Sequence, residues 1–312
     1  ALANTGADPD GVALGVARAL AGVGRLHDAM QRLEAAIERG NHPDALAQLA
    51  ELQFRRGMLE PAEETARRAL ELDDQQPLAR LVLADVLCET GRIEEADEAY
   101  RWFVRFYNRR QPQDAQTLLV VARGAVQYAR WNAASQIFDF AVNTLCPDAV
   151  ADDPLCWQAH SFSGSLLLEK YNREQALPEL RKALAINPRA AEVHAALAEA
   201  ALQQRDYESA EASLERALSV NPMLVTALQL QADLLVAKDN LEAARDVLND
   251  ALAVNPHNQA TLARVAACEW LRQYSVSAYP LDELLSVFSG EGGTPLEKPS
   301  RPQGHLPDLF RE

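Results

Sequence analysis

The sequence is poor in aromatic residues, in glycine and in long apolar runs, although almost half of it is hydrophobic. Aromatic residues make up 6% of the 312 residues and hydrophobic residues 48%, so the apolar content is mostly Ala, Leu and Val. No run of about 18 or more apolar residues occurs, so no segment of the sequence has the length of a membrane-spanning helix. With only 14 glycines and 16 prolines, the composition disfavours a β-rich, turn-dense fold. It favours many small contacts between helices.

Positive charge is also scarce. The formal net charge is −15, and lysine occurs only at positions 170, 182, 238 and 298. A surface this acidic repels phosphate backbones, which argues against a nucleic-acid partner and against an anionic membrane surface. We expect instead a basic or amphipathic segment of another protein as the partner.

Motifs that carry chemistry are missing too. GEGGTP (290–295) lacks the Gly-Lys-Ser/Thr of a phosphate loop, and SFSGS (161–165) lacks the flanking glycines of a nucleophile elbow. The four cysteines show no metal-ligand spacing. The sequence therefore predicts no catalytic residue, no metal, no cofactor and no enzyme activity. Cys146 and Cys156 are close enough to pair in an exported protein, or they remain reduced thiols in the cytoplasm.

A near-motif returns at a fixed interval. ALAINP (183–188), ALSVNP (217–222) and ALAVNP (251–256) are each separated by 34 residues. Small residues precede them at equivalent places, and each copy ends in proline. The small or proline positions of the three aligned units are Gly164, Ala176, Ala183 and Pro188; Ala198, Ala210, Ala217 and Pro222; and Ala232, Ala244, Ala251 and Pro256.

This spacing predicts pairs of antiparallel helices. Apolar residues at i, i+3, i+4 and i+7 form a stripe on each helix, small residues let the two helices approach closely, and proline ends the second helix. The same frame extends upstream with less regular spacing. It gives seven helical pairs and an eighth first helix, which start near residues 10, 43, 77, 115, 157, 191, 225 and 259. The predicted fold class is an all-α solenoid of stacked helix pairs.

The pattern resembles the tetratricopeptide repeat (TPR), a 34-residue helix-turn-helix unit with characteristic small, aromatic and proline positions. The resemblance covers about residues 10–272 and implies that the all-α solenoid is a right-handed superhelix. It departs from the family where His160, His194 and Leu228 replace an early aromatic residue, and we interpret the histidines as packing residues rather than metal ligands. The unit at 77–114 is four residues too long and the unit at 115–156 eight too long. We expect the insertion CPDAVADDPLC (146–156) to bulge from a loop.

Two strings, LEKYN (168–172) and RFYN (105–108), are similar to the amino-terminal arrays of large bacterial TPR proteins. Some of those proteins continue into a metallopeptidase-like domain with an HExxH helix. This sequence contains no HExxH, so no catalytic residue can be carried over from them.

The predicted domain organisation has four parts. Residues 1–9 form a flexible N-terminus, 10–272 the solenoid, 273–288 a segment that caps its last repeat, and 289–312 a disordered tail rich in Pro and Gly. The sequence opens without Met, which is typical of a trimmed or processed chain. We predict a cytoplasmic location, and a periplasmic or exported one if the N-terminus is a processed one.

The TPR resemblance implies where a partner would bind. In that family the first helix of each unit lines a concave groove, mainly through fixed positions. In the early units those positions include Phe54, Cys88 and Glu89. Over the whole array they give the following candidate binding residues: Arg55, Asp85, Arg123, Gln127, Gln158, Phe162, Glu169, Glu192, Glu199, Gln203, Gln229 and Asp233. The acidic residues of the later units favour a segment that carries Arg or Lys. They could equally be ordinary solvated residues of an acidic protein.

Three functional hypotheses are consistent with the sequence. The first is a non-catalytic scaffold for protein–protein interaction that binds a partner segment in its groove. The second is the recognition arm of a larger, peptidase-like bacterial enzyme. The third is self-association through the ends of the array. The partner, the compartment and the oligomeric state stay open.

Overall fold

The computed structural model describes residues 9–40, 42–170 and 172–273. The predicted flexible start, capping segment and tail lie almost wholly outside these residues. The chain divides into a unit of residues 1–268 and a unit of residues 269–312. Only the end of one helix, 269–273, is described in the second unit, and the helix pairs all lie in the first.

The described residues form successive helix pairs, with no strand among them. We number the helices in chain order and call each pair a repeat. The repeats are α1 (Pro9–Gly22) with α2 (Leu26–Arg39); α3 (Pro43–Arg55) with α4 (Leu59–Leu72); α5 (Pro77–Glu89) with α6 (Ile93–Arg110); α7 (Ala115–Asn132) with α8 (Ser135–Phe140), a π-helical turn (Ala141–Leu145) and α9 (Cys146–Asp152); α10 (Trp157–Glu169) with α11 (Arg173–Ile186); α12 (Ala191–Leu202) with α13 (Tyr207–Val220); and α14 (Val225–Ala237) with α15 (Leu241–Val254). Helix α16 (Gln259–Gln273) comes after them.

Local sequence signals set the helix ends. Proline occupies the first position of α3 and α5, where the missing N–H costs nothing. The side chains of Asp114, Asp206 and Asn240 cap the next helix by accepting a hydrogen bond from a backbone N–H three residues on.

The packing within repeats agrees with the predicted small residues. All nine alanines and glycines of the three aligned units are buried, and Gly164 of α10 lies directly against Leu180 of α11. Each repeat contacts the next, since α3 packs on α5 and α12 on α14 as well as on its own partner helix. The predicted all-α helical solenoid is confirmed.

In the two units that are longer than 34 residues, 77–114 and 115–156, the extra residues lengthen the helices. Helices α6 and α7 each have 18 residues. The expected bulge at 146–156 is wrong, because residues 146–152 continue the second helix of the fourth repeat. A π-helical turn lies within that helix, and Cys146 and Ala149, which follow it, are buried. Cys146 and Cys156 are separate thiols rather than a disulfide pair.

The apolar core is divided into clusters along the array. The largest joins the second to fifth repeats and contains Phe103 of α6, whose side chain is fully buried. Phe103 lies over Gly124 of α7 so closely that a Cβ on Gly124 would overlap the ring. This contact couples the third repeat to the fourth.

Late repeats return to contact the early ones, at two places that we call the closing contacts. At the first, Asn221 and Pro222 lie against Gly24; at the second, Asn255 and Pro256 lie against Gly57. The Asn255 side-chain amide also donates to the carbonyl of Phe54 at 3.5 Å. Residues about 200 positions apart in sequence are thereby brought together.

Both asparagines of the closing contacts are buried. Asn221 is 1% exposed and Asn255 8%, whereas Asn187, the equivalent residue of the fifth repeat, is partly exposed. Val254 joins an apolar cluster made mainly by α1, α2 and α3. Part of the apolar surface of the first repeats, which the hypothesis of self-association through the array ends would need exposed, is therefore covered within the same chain.

Candidate functional site

Side chains of first helices from different repeats contact one another, and we call the surface on which these contacts lie the groove. Side-chain contacts between these helices define it: Arg123 of α7 reaches Glu51 of α3 at 3.1 Å, and Arg130 of α7 reaches Glu169 of α10 at 2.6 Å. Polar residues from different repeats therefore face a common space.

The early half of the groove contains a cavity of about 560 Å³. Five residues at the groove positions implied by the TPR resemblance line it: Phe54, Asp85, Cys88, Glu89 and Gln127. Three further lining residues come from outside those positions: Tyr100, Arg130 and Trp131. Sequence reasoning missed these three, because Tyr100 belongs to a second helix and the other two lie at the end of the lengthened α7.

The acidic groups of this cavity carry an electrostatic cost. Burial raises the pKa of Asp85 from its usual 3.8 to about 6, although the Tyr100 hydroxyl donates to it at 2.7 Å and Arg123 acts in the opposite direction to burial. Burial also raises the pKa of Glu89, against the attraction of His257. Both carboxylates lie on α5, one helical turn apart.

Replacing Asp85 by asparagine is expected to stabilise the fold at neutral pH. The folded chain holds the Asp85 proton more tightly than the unfolded chain does, so the free energy of unfolding falls as the pH rises from about 4 to about 6. Asparagine keeps an acceptor for Tyr100 but has no charge to desolvate. Urea unfolding at pH 8 should give D85N an advantage of about 1–3 kcal/mol, which disappears near pH 4. A similar advantage for E64Q, on the exposed face of α4, would contradict this account.

The later half of the groove is acidic but partly neutralised. Asp233 of α14 accepts from Arg264 of α16 at 2.9 and 3.0 Å. Glu199 of α12 is partly buried nearby. Burial together with Glu169 and Asp233 raises the pKa of Glu199, while Arg264 opposes the shift.

The remaining candidate residues differ in exposure. Gln158, Gln203 and Glu169 are exposed, while Arg55, Phe162 and Glu192 are partly exposed. Gln229 is 8% exposed, and its amide donates to Asn258 and to Thr261, each at 2.8 Å. Gln229 thus links α14 to the start of α16, and we leave it out of the proposed binding surface.

Two tetratricopeptide-repeat family models match the chain, one at residues 14–77 and one at residues 167–234. The chain contains tetratricopeptide repeats. Both matched ranges fall on helix pairs that pack through buried small residues. The resemblance to arrays that precede a metallopeptidase-like domain is not tested by these matches and stays a prediction.

Solved structures are similar to this chain as well. A tetratricopeptide repeat protein from Parabacteroides merdae ATCC 43184 is 16% identical, with a TM-score of 0.49, over 83% of this chain and 98% of that one. PilF of Pseudomonas aeruginosa is 20% identical, with a TM-score of 0.41, over 72% of this chain and 97% of its own. No curated protein matches the sequence. The family assignment depends on the sequence matches and the packing of the helix pairs.

The residues that could carry chemistry in this TPR array have structural partners. His160 hydrogen-bonds Glu179 at 2.7 Å, and His194 is buried with its Nε2 3.0 Å from the carbonyl of Pro188. Burial raises the pKa of the Cys146 thiol to about 12, so this thiol is protonated at neutral pH. Among residues 9–40, 42–170 and 172–273, no group of three or more His, Cys, Asp or Glu could hold a metal ion. None of the helices in these ranges is long and apolar enough to cross a membrane.

Proposed function

We propose that this TPR protein binds a positively charged segment of another protein along its groove. TPR arrays are scaffolds for protein–protein interaction, because stacked helix pairs expose one long continuous surface. The proposal adds that the partner segment is positively charged, and this part of it depends on one observation. Glu199 is partly buried, and burial together with the carboxylates of Glu169 and Asp233 raises its pKa.

The charge balance around Glu199 explains why a cation would be favoured there. Glu169 is paired with Arg130, and Asp233 with Arg264, so these cations of the groove are already engaged by the flanking acids. Glu199 is left as an additional, poorly solvated negative charge. An Arg or Lys side chain of a bound segment would relieve that cost, and the net charge of −15 would attract such a segment over a longer range.

Binding to an array of immobilised synthetic peptides of varied net charge tests this proposal. Wild-type protein should bind peptides rich in Arg and Lys and release them as the salt concentration rises. Reversing the charge with Glu199→Lys should weaken that binding about tenfold, or about 1.4 kcal/mol. The variant should fold, because two carboxylates face the new ammonium group.

Glu64→Lys is the matched control. It makes the same change in net charge at an exposed position of α4, a second helix, so it distinguishes the effect of the groove from the effect of the overall charge. If both variants lose the same affinity, long-range charge explains the binding and the groove is not its site. Equal binding of acidic and basic peptides by wild-type protein would overturn the proposal.

A further inference from the structure

We propose that the 560 Å³ cavity of the second to fourth repeats is a subsite for one arginine side chain of the bound partner. This inference rests on the proposed function, since it assumes that a basic segment lies in the groove. It adds a specific pocket, on repeats other than those around Glu199, and a specific side chain.

The arrangement of carboxylates is the first argument. Asp85 and Glu89 are four residues apart on α5, so both project from one side of the helix into the cavity. Tyr100 donates to Oδ1 of Asp85. Oε2 of Glu89 is buried and has no hydrogen-bond partner. A buried acceptor without a donor is costly, and a cationic donor that entered the cavity would satisfy it.

The neighbouring cations of the chain are engaged elsewhere. Arg123 acts on Asp85 electrostatically, but its hydrogen bond goes to Glu51. Arg130 lines the cavity, yet its guanidinium donates to Glu169 and to Gln127. His257, on the loop of the second closing contact, attracts Glu89 without a hydrogen bond to Oε2. None of these three cations therefore donates a hydrogen bond to the buried Oε2 of Glu89. A positively charged donor from a partner could take that place.

The aromatic lining favours arginine over lysine. Phe54, Tyr100 and Trp131 border the same cavity, and Trp131 is 52% exposed although it is a large apolar side chain. A planar guanidinium can stack on an aromatic face while its fork of N–H donors bridges two carboxylates. The strongly hydrated ammonium of lysine is a point charge and matches this geometry less well.

Titration of the 312-residue protein with the peptide acetyl-Gly-Arg-Gly-amide tests the inference directly. Citrulline in place of arginine gives a ligand of nearly the same shape without the charge. The fluorescence emission of Trp131 reports binding, and the variant Trp131→Phe shows how much of the fluorescence change comes from this residue. We expect the arginine peptide to bind at least about tenfold more tightly than the citrulline peptide. The double variant Asp85→Asn/Glu89→Gln should lose at least about tenfold of that affinity.

The controls separate a failure of this inference from a failure of the proposed function. Glu64→Gln, at an exposed position of α4, should bind the arginine peptide as wild type does. Loss of binding in Glu199→Gln, with none in the double variant, would overturn the cavity assignment and leave the basic-segment proposal standing. The cavity assignment would also be overturned if the arginine and citrulline peptides bound equally well, or if neither of them bound. The double variant should melt at or above the wild-type temperature at pH 8, so misfolding would be recognised at once.

Discussion

Replacing Phe103 by alanine is expected to lower the free energy of unfolding by about 3–5 kcal/mol. The ring is fully buried in the largest apolar cluster, and it fills the space above Gly124 between the third and fourth repeats. Its removal would leave a cavity at a place where these two repeats approach closely. Backbone rearrangement could not fill that cavity cheaply, since α6 and α7 are long helices fixed at many other points.

The contact between Phe103 and Gly124 can also be tested by a substitution at Gly124. Gly124→Ala introduces a methyl group that overlaps the Phe103 ring, so we expect a loss of about 1–3 kcal/mol. If crowding is the cause, Phe103→Leu should recover part of that loss in the double variant. Additive effects in the double variant would contradict the contact.

Urea unfolding followed by circular dichroism and by tryptophan fluorescence measures both effects. Each repeat contacts mainly its neighbours, so a weakened boundary should let the two sides unfold separately and make the two signals diverge. Phe140→Ala is the control, because Phe140 is 38% exposed in the same repeat region. A loss for Phe103→Ala no larger than for Phe140→Ala would show that the core is not organised as described.

Replacing Gly57 by alanine is expected to destabilise the protein more than replacing Gly91, although the two glycines occupy equivalent turns. Their φ angles are +70° and +76°, a region that costs a non-glycine residue about 1–2 kcal/mol. Gly91 has open space around its missing side chain, so G91A should show this backbone cost alone.

At Gly57 a second cost is added. A Cβ there would overlap the Asn255 side chain and lie 3.0 Å from Cδ of Pro256. Asn255 cannot turn aside freely, since its Oδ1 accepts from the N–H of His257 and its amide donates to Phe54. G57A should therefore unfold with a further loss of about 1–3 kcal/mol relative to G91A, because its side chain enters an already packed contact.

The difference between the free energies of unfolding of G57A and G91A measures the contribution of the second closing contact to stability. Small-angle scattering gives an independent readout, because loss of that contact should increase the radius of gyration of G57A and leave that of G91A unchanged. Asn255→Ala and Asn187→Ala form a second matched pair: both lose the turn hydrogen bond of asparagine, and only the first loses a closing contact. Equal stabilities and equal radii for G57A and G91A would show that late and early repeats do not hold each other in solution.

The sequence by itself determined the repeat, the helix pairs and the residues between them. These features depend on local patterns: a stripe of apolar residues with helical spacing, small residues where two helices touch, and turn or cap residues at fixed offsets. A unit that meets these conditions can bury its apolar faces only by stacking on similar units. The 34-residue interval and the buried alanines of α10 to α15 were therefore predictable.

The tertiary structure alone decided the closing contacts and the cavity. A closing contact depends on a small rotation accumulated over several repeats, which no single repeat encodes. The extra residues of α6, α7 and the π-helical turn after α8 are visible in the sequence only as excess length, which we expected in part to form a loop. Trp131 joins the cavity because the lengthened α7 carries this side chain beyond the regular repeat positions, whereas Tyr100 reaches the cavity from α6, the second helix of its repeat. The local pattern fixes which faces pack, whereas the summed geometry of the packed repeats decides which distant residues meet.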